Sequence, residues 1–219
     1  LYQIEWNFLP WFAPLSDESP VALEKKLASD PESFAEMVKL AFRSKNDLDD
    51  SVEKQDEKKK NIVERAYTLL HNWKHCPGVQ EDGTLNEALF HHWITVARRI
   101  TEETGHEIIA QVELGHVLTY APKDPDGLWI HKAVASVLNQ RDTEKMRRNF
   151  IIALMNQRGV YHFSHGSQER ELARRYREKA EALDIAGYTR FATAMRELAD
   201  QYDADAERDE RRDPFEDYA

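Results

Sequence analysis

Residues 56–73 read DEKKKNIVERAYTLLHNW. Ile62, Val63, Ala66, Leu69, Leu70 and Trp73 recur at the three- and four-residue steps that line one face of an α-helix, and mostly charged or polar side chains fill the rest. The same periodicity appears on either side of the stretch, which decides the class: a chain built from amphipathic helices.

Downstream, Pro77-Gly78 ends that helix. Thr84-x-x-Glu87 has the form of a capping box and predicts a helix over 85–103, closed by Gly105. A helix over 106–120 stops before Pro122. The loop 121–127 leads to a helix over 128–140, and Asp142 is placed to cap the next, with Met146, Phe150, Ala153 and Leu154 along it. A loop over 159–166 follows. Ser167 can cap a helix that carries Leu172, Tyr176, Ala180 and Leu183 inward. After Gly187 the last long helix shows Phe191, Met195, Leu198 and Tyr202, with an acidic tail from Asp205 expected to fray.

Upstream, Asp30-Pro31 opens a helix to Phe42, with an N-cap acceptor followed by proline at the first helical position. Ser19-Pro20 repeats the device for a helix to Ala28. Residues 1–15, with Pro10 and Pro14, read as an arm or short helix on the core. The expected fold is all-α, a multi-helix bundle of stacked helical hairpins with about 8–9 helices. The expected organisation is an N-terminal arm with two short helices over 1–42, a charged linker over 43–58, and a main helical domain over 59–219 that can pack as one with 1–42.

Composition narrows the function classes. The 219 residues are 41% hydrophobic and 32% charged, too apolar for a disordered chain. The formal charge of −10 argues against a main task of gripping nucleic acid, which calls for excess Lys and Arg. Cys76 is the single cysteine, so no internal disulfide forms and a cytoplasmic location is expected. No apolar run reaches membrane-spanning length, and no secretory leader pattern opens the chain. The aromatic start (Tyr2, Trp6, Phe8, Trp11, Phe12) without an initiating Met reads as a piece of a longer protein.

Candidate chemistry is sparse. His71, His75 and Cys76, with His91-His92 beyond, are the weak candidates for a metal site, because imidazoles four apart share a helix face. A single cysteine without a Cys-x-x-Cys argues for surface histidines instead, and no cofactor is indicated. Asp124-Pro125-Asp126-Gly127 begins like a calcium loop, but the twelfth position is Ala135 where a bidentate Glu is required, so a capped turn explains it better. His162, Ser164 and His165 share a loop but lack a nucleophile elbow. No glycine cluster forms a phosphate-binding loop. Arg141, Lys145, Arg147, Arg148 and Arg158 form one basic neighbourhood; Arg170, Arg174, Arg175 and Arg177 form another, spaced for intrahelical pairs such as Arg174–Glu178.

The segments Asn156-Gln157-Arg158-Gly159-Val160, Gly166 to Ala173, and Arg175-Tyr176 resemble the C-terminal helical region of large uncharacterised bacterial proteins. Glu5-Trp6 to Leu9-Pro10, and Phe34 to Arg43, are similar to the same region, so the likeness spans most of the chain. Some of these proteins are similar to plasmid-maintenance (addiction-module) antidote proteins with an upstream helix-turn-helix; others look like bacterial conflict or signalling proteins with an upstream ATPase. The resemblance implies an accessory domain at the end of a multidomain chain and transfers no catalytic residue.

The expectation is therefore a non-enzymatic helical protein-interaction or regulatory domain of a larger bacterial protein, whose partner is another protein or an upstream domain of the same chain, without membrane or direct nucleic-acid contact. The alternatives are a regulatory domain of an addiction-module antidote (antitoxin) and a metal-dependent hydrolase. A contact loop is expected at Arg158, Tyr161, His162, Phe163, His165 and Arg170, with Trp6 and Trp11 as partner-facing aromatics.

Overall fold

A computed structural model describes residues 1–9, 19–44, 57–157 and 165–211. Every regular element among them is helical, and an isolated antiparallel bridge joins Val79 and Leu85. The all-α expectation holds. No helix among the described residues is long and apolar enough to cross a membrane. The chain divides into two compact units, Leu1–Pro122 and Lys123–Ala219. The division therefore falls beside the 121–127 loop. The helices that flank the charged stretch 43–58 pack together within the first unit, and residues 45–56 lie outside the described residues.

Unit 1 contains α1 (Tyr2–Phe8), α2 (Val21–Ser29), α3 (Pro31–Ala41), α4 (Glu57–Asn72), α5 (Glu87–Glu103) and α6 (Glu107–Val117), the last followed by a 3-10 turn at Leu118–Tyr120. Helix α3 is central, packing against α2, α4, α5 and α6. Its Phe34 is fully buried, with ring centroids 5.5 Å from Trp73 and 5.2 Å from Trp93, which lie 5.8 Å apart. Buried indoles need acceptors. Trp73 Nε1 donates to the Glu24 carbonyl (3.2 Å) and Trp93 Nε1 to the Leu27 carbonyl (3.0 Å). The aromatic triangle is thereby fastened to α2.

The helix ends show where local reading succeeds. Asp30 caps α3 as expected, accepting from the Glu32 and Ser33 amides and the Ser33 hydroxyl, and these bonds hold its carboxyl below the usual range. Elsewhere the cap differs. Ser19 does not cap α2. The Glu5 carboxylate from α1 does, accepting from Ala22 N (3.1 Å) and Leu23 N (2.8 Å). Thr84 turns back onto Asp82, so α5 starts two residues later than the capping box predicts, with Asn86 accepting from Leu89 N. Gly78 (φ +79°) closes this connection: a Cβ there would sit 2.7 Å from Phe90 Cβ.

Unit 2 contains α7 (Lys132–Leu138), α8 (Glu144–Asn156), α9 (Ser167–Ile185) and α10 (Thr189–Arg211). Helix α7 is shorter than the 128–140 expectation because Asp124 organises the preceding turn, accepting from Asp126 N (2.9 Å) and Lys132 N (2.8 Å). Those bonds confirm a capped turn. Thr143, rather than Asp142, is the N-cap residue of α8, and its hydroxyl donates to the Val137 carbonyl instead of capping. Gly166, not Ser167, precedes α9, and its amide donates to the buried Asp209 (3.0 Å).

The α9–α10 hairpin is the longest packed element. Ala173, Ala180, Ala192, Ala199 and Ala206 are buried along it, and small side chains permit close helix approach. Tyr176 stacks on Tyr202 (5.5 Å), and Phe191 packs edge-on to Phe150 (5.3 Å) with Trp129 alongside. The tail expected to fray from Asp205 is helical to Arg211. Ala206 and Asp209 are buried, and Arg170–Glu210 joins the helices there.

Candidate functional site

The richest collection of chemical groups lies in unit 1. The connection after α4 runs over α2, and Glu24 of α2 reaches up into it. Glu24 Oε2 accepts from Lys74 N (3.0 Å) and from His75 Nδ1 (2.9 Å). Glu24 is 1% exposed and His75 38%, so a buried carboxylate holds a half-exposed imidazole by one nitrogen. With Nδ1–H directed to the carboxylate, Nε2 is the nitrogen left for a ligand. The surrounding groove, about 890 Å³, is bordered by Lys25, Lys74, Val79, Leu89 and His92. This arrangement can bind a polar ligand or exchange a proton with it.

The metal candidates separate. His75 gives Nδ1 to Glu24 and keeps one nitrogen, Nε2, for a ligand. Cys76 is buried, its Sγ 3.6 Å from the Pro77 carbonyl, and burial pushes its thiol well up, away from the thiolate that ligates metal. His71 stacks between Tyr67 (5.7 Å) and His116 (6.1 Å). Burial, His71 and Lys74 all push His116 below its ordinary value. Among the described residues, no three His, Cys, Asp or Glu side chains are grouped so as to hold a metal ion.

Unit 2 carries a second groove, about 770 Å³, between α8 and α10. Ile151, Ile152 and Met155 line it from α8, Ala194 and Leu198 from α10. Ile152 is 41% exposed. Arg147, Arg148 and Arg190 border it, opposed by Glu144 and Glu197. Arg147 has a structural duty as well: Nη1 donates to the carbonyls of Leu138 (2.6 Å) and Gln140 (3.1 Å), closing the end of α7. The basic neighbourhood seen in sequence thus becomes, in part, the rim of an apolar groove.

Of the expected contact loop, Arg158, Tyr161, His162 and Phe163 lie outside the described residues. His165 is exposed, with φ +49°. Arg170 makes a two-pronged bond to Glu210, Nε to Oε1 and Nη2 to Oε2, both 2.8 Å. Arg177 pairs with Asp200 and Asp203 across the hairpin, while Arg174 pairs along its own helix with Glu171 and Glu178. Trp6 is half-buried on α1, whereas Ile4 and Phe8 are exposed there; Trp11 lies outside the described residues.

Sequence reading missed Glu24 altogether. Its one signal was an acidic residue beside Leu23 on the apolar face of α2. No family model, curated protein or solved structure matches this chain.

Proposed function

We propose that the protein is a non-enzymatic protein-interaction domain whose α8–α10 groove receives an amphipathic helix of a partner protein, one with acidic residues flanking its apolar stripe. The observation that carries this reading is the apolar strip Ile151, Ile152 and Met155 at helical spacing, exposed at Ile152 and half-buried at the other two, set beside the buried Leu198 and rimmed by Arg148 and Arg190. A helix lying in a groove buries such a strip and reads it through residues at i, i+3, i+4 and i+7. The groove spans residues 144–156 of α8, about 18 Å at the helical rise, which suits a three-turn partner.

Charge selects the partner's flanks. Three arginines against two glutamates make this rim locally positive in a chain of formal charge −10. Complementary acidic flanks raise the encounter rate and disfavour basic competitors. A cytosolic setting belongs to the same reading, since the single cysteine suits a reducing compartment.

The test is fluorescence anisotropy with labelled peptides of about 15 residues, leucine at helical spacing and either Glu or Lys on the flanks. The Glu-flanked peptide should bind at least about tenfold tighter, and the Arg148→Glu/Arg190→Glu double variant should invert the preference. Ile152→Asp should abolish binding of both. Equal binding of the two peptides, or binding indifferent to Ile152→Asp, overturns the proposal.

A further inference from the structure

The groove of unit 1 differs in kind from a helix-docking surface. Ser19, Gln80, Tyr120 and His92 add polar groups to the lining around His75, and the exposed apolar residues Val79 and Leu89 lie on its lip. The groove therefore mixes polar and charged groups with an apolar lip, and convergent polar groups are what small-molecule sites use to fix orientation.

Glu24 supplies a second observation. Its Oε1 is buried and has no hydrogen-bond partner. A buried carboxylate oxygen left unsatisfied is costly, and α2 buries plain leucines at Leu23 and Leu27 on either side. What the carboxylate accomplishes is orientation: it holds Nδ1 and leaves Nε2 for the groove. A ring protonated on both nitrogens donates to the carboxylate at Nδ1 and to a second oxyanion at Nε2.

We propose that this groove binds a small organic molecule through an oxyanion seated against His75 Nε2 and neutralised by Lys25 and Lys74, with the apolar body of the ligand lying on Val79 and Leu89. The sign follows from the lining. The exposed charged groups of the lining are Lys25, Lys74 and Glu81, because Glu24 is buried at 1% exposure with its Oε2 turned to His75 and the Lys74 amide; two ammonium groups outweigh one exposed carboxylate. An anion brought to this place meets opposite charge in an otherwise acidic protein. A cationic ligand meets like charge.

The experiment is calorimetric titration of the whole chain with phenyl phosphate, benzoate and inorganic phosphate, paired with NMR of the histidine ring nitrogens. Phenyl phosphate or benzoate should bind saturably and shift the His75 Nε2 resonance; the stronger of the two identifies the phosphate or the carboxylate as the preferred headgroup. His75→Gln and Lys25→Met should each weaken binding by about tenfold. Lys25 is exposed, so its variant tests the site without endangering the fold. No saturable response at His75 with any probe up to roughly 10 mM overturns the proposal. Binding that survives both substitutions does the same. Inorganic phosphate bound as tightly as phenyl phosphate overturns the organic-ligand assignment.

Discussion

Gly166 and Ala206 meet backbone to backbone: a Cβ on Gly166 would lie 2.7 Å from the Ala206 carbonyl oxygen. Gly166 also sits at φ +76°, where L side chains are strained, and donates its amide to Asp209. Gly166→Ala combines a left-handed backbone with a clash against backbone that cannot rotate away, and should destabilise unit 2 by roughly 2–3 kcal/mol in urea unfolding. Gly187 is the control. It has φ +88° but nothing within 4 Å, so Gly187→Ala should cost only about 1 kcal/mol.

Removing a cap supplied from another helix should loosen two helices at once. Glu5→Ala leaves the amides of Ala22 and Leu23 without their acceptor and frees α1 from α2. The expected loss is about 1–2 kcal/mol, with faster hydrogen exchange at those two amides. Unchanged exchange at Ala22 and Leu23 would contradict the assignment of Glu5 as the cap.

Glu113 makes stability depend on pH. Burial at 8% exposure raises its carboxyl from 4.5 to about 7. The folded chain therefore holds a proton that the unfolded chain has released. Stability from this group is complete below pH 4.5 and is lost as the pH rises to about 7, a penalty on the order of 3 kcal/mol. Glu113→Gln should recover much of it at neutral pH and flatten the pH profile. His116 acts in the opposite sense. Its folded value is lowered, so its contribution is present above 6.5 and is lost as pH falls below that. Denaturant midpoints across pH 4–8, for the parent chain and for Glu113→Gln, check both signs.

Asn139 caps α10 from the end of α7, its Oδ1 accepting from Arg190 N (2.8 Å) and Phe191 N (3.3 Å). Asn139→Ala should cost about 1 kcal/mol, and Asn139→Asp should retain most of the cap because a carboxylate suits a helix N-terminus. Thermal melts of the two variants separate capping from packing.

Much of the fold is legible in the chain because helix periodicity is local. Of the stripe that decides the class, Ala66, Leu69, Leu70 and Trp73 are buried as their spacing predicts, whereas Ile62 is exposed and Val63 half-buried near the start of α4; Asp30-Pro31 begins α3 as its chemistry requires. Local reading fails where an acceptor from elsewhere is better placed. Ser19 loses its role to Glu5, seventeen residues away in the order of the helix amide it caps, and Thr84 yields to Asn86 because Asp82 captures it in a turn.

The candidate sites divide in the same way. Arg147 and Arg148 are legible as a basic neighbourhood because both sit on α8, whereas Ile151, Ile152 and Met155 go unmarked: the inward stripe reads at Met146, Phe150, Ala153 and Leu154, and the contact site in the following loop. The Glu24–His75 pair spans fifty-one positions and exists because the aromatic triangle of Phe34, Trp73 and Trp93 draws the end of α4 onto α2. The sequence by itself determined that this protein is made of amphipathic helices, since periodicity needs only the chain's own hydrophobic order. Tertiary structure alone decided which carboxylate meets which imidazole, which glutamate caps which helix, and that the chain divides at Pro122. Those outcomes depend on burial and on distances between residues remote in sequence, which a one-dimensional pattern does not contain.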